Sequence, residues 1–216
     1  MSQDSQLQQA VLAEFNWEPS VTAGHIGVTA SAGVVTLSGH VNSYAKKLAA
    51  ETAAHRVKGV KAVAEEIEVR LPFESKRTDE EVATAAIERL SWTVSVPKDS
   101  VQVKVEKGWV TLTGQVDWWF QREATERDIR PLHGVVGVSN QATVKPRVNT
   151  VTLSDDITHA LHRSWFFDPE AVHVRADGGT VVLSGSVHSI YERQAAARTA
   201  WSAPGATMVE NDIVVA

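Results

Sequence analysis

The sequence predicts an α+β fold of three tandem α-β-β-α-β modules, and the main reason is an internal repeat. Three similar segments, GVVTLSG, GWVTLTG and GTVVLSG, begin at residues 33, 108 and 179, which gives offsets of 75 and 71 residues. A glycine followed by a small apolar residue keeps the same two offsets at Gly59, Gly134 and Gly205. Two ordered landmarks with one spacing indicate that a single structural unit occurs three times.

Each module is predicted to begin with an amphipathic helix. Apolar residues recur three to four positions apart at Leu7, Val11 and Phe15, at Val82, Ala86 and Leu90, and at Ile157, Leu161 and Trp165. This spacing places them on one helical face. The candidate N-caps are Asp4, Thr78 or Asp79, and Ser154 or Asp155. The first helices start at a constant offset of 75 residues, so the third copy is four residues shorter between its first helix and its first strand.

A hairpin, a second helix and a third strand follow in each module. Apolar residues alternate along the hairpin at Ile26, Val28, Val35 and Leu37, at Val101, Val103, Val105, Val110 and Leu112, and at Val172, Val174, Val181 and Leu183. The glycine of SAG, EKG and DGG supplies the turn. The second helix is expected over residues 44–57, 119–132 and 190–203. The third strand contains Ile67 and Val69, Ala142 and Val144, or Ile213 and Val215.

A helical crossover returns the third strand parallel to the second, so each three-stranded sheet is expected to be mixed. Both helices are expected on one face of the sheet, which leaves the other face bare. The predicted domains are residues 1–71, 77–147 and 152–216, joined by short polar linkers.

The composition excludes several classes of function. The net charge of −5 provides no basic field for nucleic acid, and the chain has no cysteine for a thiolate nucleophile or a Cys-ligated zinc. No apolar run is long enough for a transmembrane segment. The first residues lack the basic and apolar segments of a secretory signal, so we expect a cytoplasmic protein, or a periplasmic one if a signal has been removed.

The first helix, the G-x-V-x-L-x-G-x-V hairpin, the second helix and the Gly-Val segment before the last strand make each copy resemble the BON domain. This family is named after bacterial osmotic-stress and nodulation proteins. The resemblance covers residues 4–71, 78–145 and 153–216. It implies a non-enzymatic binding module, because the family has no general catalytic motif and its members mostly associate with phospholipid membranes of the bacterial envelope.

Two functions follow from this resemblance. We expect a stress- or envelope-related scaffold that binds a phospholipid membrane surface or membrane-associated partners. The alternative is a protein–protein interaction or self-association scaffold with no lipid ligand.

Residues that could support catalysis or metal binding have simpler explanations. His159 and His162 are three residues apart on a helix and could both face a metal, but no third ligand is identifiable in the sequence. The acidic pairs at 80–81 and 155–156 fall in first helical turns, where acids favour the helix dipole. We therefore expect no catalytic residues, no metal and no cofactor.

The candidate binding residues are the ones that break the repeat. Trp118 corresponds to Ser43 and Ser189, so a module folds with serine there and the core does not require Trp118. The other comparisons match Trp109 with Val34 and Thr180, Phe120 with Ala45 and Tyr191, and Trp119 with Tyr44 and Ile190.

Trp109 points to the bare sheet face, where packing between modules is an equal alternative to binding. Trp119 is expected in the core. Trp118, Trp109 and Phe120 are the predicted contacts, as membrane anchors or as protein hot spots.

Overall fold

The computed structural model describes residues 2–145, 152–163 and 171–216. The predicted order of helix, strand, strand, helix and strand is confirmed in all three modules. Module 1 contains α1 (Gln3–Trp17), β1 (Ile26–Ser31), β2 (Val34–Val41), α2 (Tyr44–Arg56) and β3 (Ala62–Val69). Module 2 contains α3 (Asp79–Trp92), β4 (Val101–Glu106), β5 (Trp109–Val116), α4 (Trp119–Ile129), β6 (Gly137–Asn140) and β7 (Thr143–Val144). Module 3 contains α5 (Leu153–His162), β8 (Val172–Asp177), β9 (Thr180–Val187), α6 (Ile190–Trp201) and β10 (Met208–Val215). Trp165 lies outside the described residues.

Every sheet is mixed, as predicted, with the second strand of the module at its centre. In module 2, β4 runs antiparallel to β5, whereas β6 and β7 run parallel to it. The third strand expected around Ala142 and Val144 is therefore present in two short pieces. Both pieces pair with the same central strand, so the topology of the module is unchanged.

One face of each central strand is buried beneath the helices. The valine and leucine of each V-x-L segment are fully buried: Val35 and Leu37, Val110 and Leu112, and Val181 and Leu183. The helices contribute Val11, Phe15, Val82, Ala86, Ile157 and Leu161 to the same cores. Residues between the buried positions of the strands point away from the helices, which confirms the predicted bare face.

The described chain forms two compact units. The first comprises Met1–Ser38, Ala50–Glu66 and the described part of Pro146–Ala216, and the second comprises Gly39–Ala49 and Ile67–Lys145. In the first unit, Gln194 Nε2 donates to His55 Nδ1 at 3.1 Å, linking modules 1 and 3. In the second, Tyr44 of module 1 joins the core of module 2 with Val82 and Ala86. The module boundaries at 1–71, 77–147 and 152–216 remain a prediction.

An aspartate at the start of the first helix holds the hairpin turn in modules 1 and 2. The turns at Ala32-Gly33 and Lys107-Gly108 have positive φ at both central residues, as type I′ hairpins require. The carboxylate of Asp79 accepts the N–H groups of Lys107 and Gly108, each at 2.8 Å. Asp4 accepts the N–H of Ala32 at 2.8 Å. The helix thereby fixes the geometry of the hairpin beneath it.

These contacts correct several predicted N-caps. The first helix is capped by Ser2, whose hydroxyl accepts the N–H of Ser5, and not by Asp4. Thr78 is confirmed as the cap of α3, in a reciprocal capping box with Glu81. The N-cap position of α5 is Thr152, and neither Ser154 nor Asp155 occupies it. Asp4 and Asp79 instead accept hydrogen bonds from the N–H groups of the hairpin turns in modules 1 and 2.

Arg56 joins the two helices of module 1. Its Nε donates to Glu14 at 2.9 Å and its Nη2 to Glu18 at 2.8 Å. The hydrogen bond from Arg56, with smaller contributions from Ser20, lowers the pKa of Glu18 from 4.5 to about 2.

We predict that Asp79→Ala destabilises the second unit by about 1–3 kcal/mol, because two N–H groups of the turn lose their acceptor. Chemical denaturation measures the change. Glu80→Ala, which removes the exposed acid next to Asp79 in the first turn of the helix, serves as the control. An equal loss of stability in both variants would show that helix charge and not the turn contact is responsible.

We predict that an NMR titration of the Glu18 carboxyl has its midpoint at about 2. Because the pKa is lower in the folded than in the unfolded chain, the ion pair contributes stability above pH 4.5 that is lost as the pH falls towards 2. Arg56→Gln should return the midpoint to the ordinary range, whereas Arg70→Gln, which breaks a separate pair with Glu68, should not. A midpoint unaffected by Arg56→Gln contradicts the assignment.

Candidate functional site

The structure separates the three predicted binding residues into two places. Trp109 is the first residue of β5, and Trp118 follows the last residue of that strand by two positions. The eight residues of β5 span about 25 Å. Trp118 and Phe120 lie together, with ring centroids 6.5 Å apart and planes inclined by 28°. Trp109 therefore belongs to a different surface from Trp118 and Phe120.

Trp118 occupies the N-cap position of α4, where an indole is a poor choice. A capping side chain must accept an N–H of the first turn, and indole has no acceptor. In module 3 the equivalent Ser189 accepts the N–H of Glu192 at 3.2 Å. Module 2 keeps the reverse bond of the capping box, in which Gln121 Oε1 accepts the backbone N–H of Trp118 at 3.0 Å. Trp118 is half-buried, and Phe120 is 54% exposed.

Trp119 is half-buried, which corrects the prediction that it belongs to the core. The guanidinium of Arg122 lies 4.5 Å from the centre of its ring. Arg122 also donates to the carbonyl oxygens of Ala142 at 2.9 Å and Asn140 at 2.6 Å. Partial burial lowers the pKa of this guanidinium, which stays charged. Arg122 therefore fastens α4 to the third strand, and Trp119 packs beneath it.

Trp109 lies on the bare sheet face, as predicted, and is 49% exposed. It is paired across the parallel ladder with Gly137 of β6. A methyl group on Gly137 would fall 2.3 Å from Cε3 and Cζ3 of the Trp109 ring. The indole therefore extends over the neighbouring strand, in space that only a glycine leaves open.

Among the described residues, the most exposed tryptophans escaped the sequence comparison. Trp17 is 84% exposed at the end of α1, and Trp92 is 83% exposed at the end of α3. They occupy equivalent positions in modules 1 and 2, so a search for residues that break the repeat passes over them. Their helical phase could have identified them. Trp92 is two residues beyond Leu90, about 200° around the helix from the face that packs on the sheet.

An apolar groove lies beside the end of α3. Its volume is about 220 Å³, and its walls are formed by Ile87, Leu90, Ser91, Val96, Pro97, Lys98, Asp99, Val101 and Val103. Ile87 is exposed, and Val94, in the turn after the helix, is fully exposed. Ile87, Trp92 and Val94 are exposed apolar residues in the second half of α3 and the turn after it, and we call them the α3 patch.

Within the described ranges, the predicted pair of histidines does not belong to a larger cluster of metal-ligating residues. His159 and His162 are exposed on α5, and no group of three or more His, Asp or Glu residues in those ranges could hold a metal ion. No helix of the described residues is long and apolar enough to cross a membrane.

Comparison with known proteins identifies the module. The model of the BON domain family matches residues 3–70, 78–146 and 149–216. No curated protein matches the chain. Two solved structures of CdsD, a structural protein of the type III secretion system of Chlamydia trachomatis, match the chain at 17% sequence identity each. One covers 98% of this chain and 92% of its own at a TM-score of 0.28, and the other, the C-terminal domain, covers 100% of both at 0.27. The family matches extend over nearly the whole chain, and the protein therefore belongs to the BON domain family, with three tandem copies.

Proposed function

We propose that this chain is a non-enzymatic, stress- or envelope-related scaffold that attaches to phospholipid membrane surfaces and to membrane-associated partners. The observation that carries the proposal is the exposure of Trp17 and Trp92, above four fifths in each case, at equivalent ends of two first helices. Burying a side chain of this size removes about 150–250 Å² of surface from water. Leaving two of them exposed is consistent with a role in contact with another phase or molecule.

Tryptophan suits the boundary between lipid and water, because its ring is apolar and its N–H remains able to bond to water or headgroups. The α3 patch adds Ile87 and Val94 to Trp92, which gives module 2 more apolar surface to bury. One tryptophan alone would bind weakly. Modules 1 and 2 each place such a tryptophan at the end of their first helix, so each offers its own contact to a membrane surface.

The charged side chains near Trp92 are of both signs. Glu88 and Arg89 lie near the end of α3, and Lys98 and Asp99 lie in the following loop. The acids of the first turn are further away, because the helix has 14 residues and is about 21 Å long. Charges that offset one another neither attract nor repel a lipid surface strongly, so the proposed contact at the α3 patch depends on its apolar side chains.

We predict that the chain co-sediments with vesicles of phosphatidylethanolamine and phosphatidylglycerol, and that Trp92→Ser combined with Trp17→Ser weakens this binding about tenfold or more. Both residues are largely exposed, so thermal unfolding should change little. Trp109→Val, which places the residue of module 1 in module 2, is the matched control and should bind vesicles normally.

Absence of vesicle binding by the unaltered chain at every lipid composition, including pure phosphatidylcholine, rejects the membrane proposal. Equal binding by the double variant and the unaltered chain rejects the assignment to Trp17 and Trp92.

A second candidate, a protein–protein scaffold that self-associates, is favoured by the N-cap of α4. Trp118 replaces a residue that can cap the helix, and this replacement forgoes about 1 kcal/mol of stability. Loss of stability at a position outside the core is commonly linked to function. Stacked Trp118 and Phe120 beside the ion pair of Lys145 and Asp117 have the aromatic centre and polar edge of a protein hot spot.

We predict that Trp118→Ser leaves the free energy of unfolding unchanged or raises it by up to about 1 kcal/mol, because the new hydroxyl can accept the N–H of Gln121 as Ser189 does for Glu192. The same variant should abolish any concentration-dependent rise in sedimentation coefficient shown by the unaltered chain. A substantial loss of stability would make Trp118 a packing residue. A strictly monomeric unaltered chain would reject self-association through this surface.

A further inference from the structure

The bare sheet face of module 2 contains one aromatic ring set among polar side chains. Trp109 stands in register with Glu106 of β4 on one side and Gly137 of β6 on the other. Cross-strand partners share a face, so these three residues form the first row of a grid. The second row is Lys104, Thr111 and Ser139.

The contact with Gly137 orients the ring. The position that a methyl group on Gly137 would occupy is 2.3 Å from two atoms of the indole and 2.9 Å from Cδ2. The six-membered ring thus covers the backbone of β6. One face of the indole rests on the sheet while the other faces outward, which agrees with an exposed fraction of 49%. The result is a flat π surface level with its polar neighbours.

The polar neighbours are open to a ligand and carry no net charge. Lys104 Nζ lies 3.3 Å from Glu106 Oε2, and both side chains are at least 70% exposed. Thr111 and Ser139 are half-exposed residues, and each carries a hydroxyl. The grid therefore offers an ammonium, a carboxylate and two hydroxyls around the ring, with neighbouring positions about 5–7 Å apart and the two outer strands about 10 Å apart. This set can both donate and accept hydrogen bonds.

These features favour a small neutral polar ligand over a protein or a membrane. The outward face of one indole supplies about 100 Å² of apolar contact, far below the roughly 800 Å² per partner of a stable protein interface. The ion pair cancels the charge that would attract an anionic or cationic surface. A ligand that fits must instead have a flat apolar face and hydroxyl groups at its edge.

We propose that this face of module 2 is a carbohydrate site, and that its ligand is a β-1,4-linked hexopyranose chain. All-equatorial pyranose rings direct their axial C–H groups to the two ring faces and their hydroxyls to the rim. The C–H groups pack on the electron-rich face of Trp109, and the rim hydroxyls bond to Glu106, Lys104, Thr111 and Ser139. Module 2 alone has this platform, because Val34 and Thr180 replace Trp109 in the other copies.

The test is isothermal titration of the full chain with chitohexaose and cellohexaose, which are β-1,4-linked, and with an α-1,6-linked glucose oligomer as the control sugar. The β-1,4-linked oligomers should bind and the control should not. Trp109→Val should raise the Kd about tenfold or more, since loss of one stacking contact of this kind is of that order. Trp109→Thr, the residue of module 3, should act in the same way and provides a second variant should the first fold poorly.

Gly137→Ala is the sharper variant because it keeps the tryptophan. The methyl group displaces the ring from the sheet, so the Kd should rise although every ligand-contacting residue remains. Trp92→Ser should leave sugar binding intact, which keeps this result separate from that of the membrane proposal. No binding of either β-1,4-linked oligomer by the unaltered chain overturns the inference, and so does unchanged affinity in folded Trp109→Val.

Discussion

In each module the central strand places a valine and a leucine beneath two helices, and this burial decides where every other side chain of the sheet points. Val110 and Leu112 are fully buried, so Trp109, Thr111 and Thr113 must face the other way. A shift of one residue in register would exchange the two sets and expose the core. The carboxylate of Asp79 supports the register by holding the hairpin turn from the start of α3. The bare face and its tryptophan are consequences of that buried pair.

Repetition within one chain provides three solutions to the same packing problem. Where all three copies carry a buried residue, packing explains it. Trp118 occupies a position at which the other copies have a serine that can cap the helix, and Trp109 occupies one at which the other copies fold with valine or threonine. Trp17 and Trp92 show that the converse does not hold, because a residue shared between copies can be exposed. Helical phase and repetition must be considered together.

The fold could be predicted from the sequence because it depends on apolar periodicity, which is local and occurs three times. The mixed sheets followed from the handedness and length of the helical crossover.

The helix caps were harder to predict, because Asp4 and Asp79 resemble N-caps in sequence but bind hairpin turns 28 or 29 residues away. Trp119 was expected in the core because its counterparts are apolar. Its cover is the guanidinium of Arg122, three residues later in the same helix. Arg122 is in turn held by the carbonyl oxygens of Asn140 and Ala142, which are distant in sequence, and no local pattern encodes those contacts. The position of Trp109 over Gly137 likewise depends on the pairing of two strands distant in sequence.

The most direct test of the account uses 5-fluorotryptophan in place of the seven tryptophans, with each ¹⁹F resonance assigned by single substitution. Phospholipid vesicles are then added. The account predicts broadening of the resonances of Trp17 and Trp92, while those of Trp109 and Trp119 keep their shift and width. Broadening of Trp109 or Trp119 with Trp17 and Trp92 unaffected would contradict the central claim that the exposed helix ends are the membrane-binding surface.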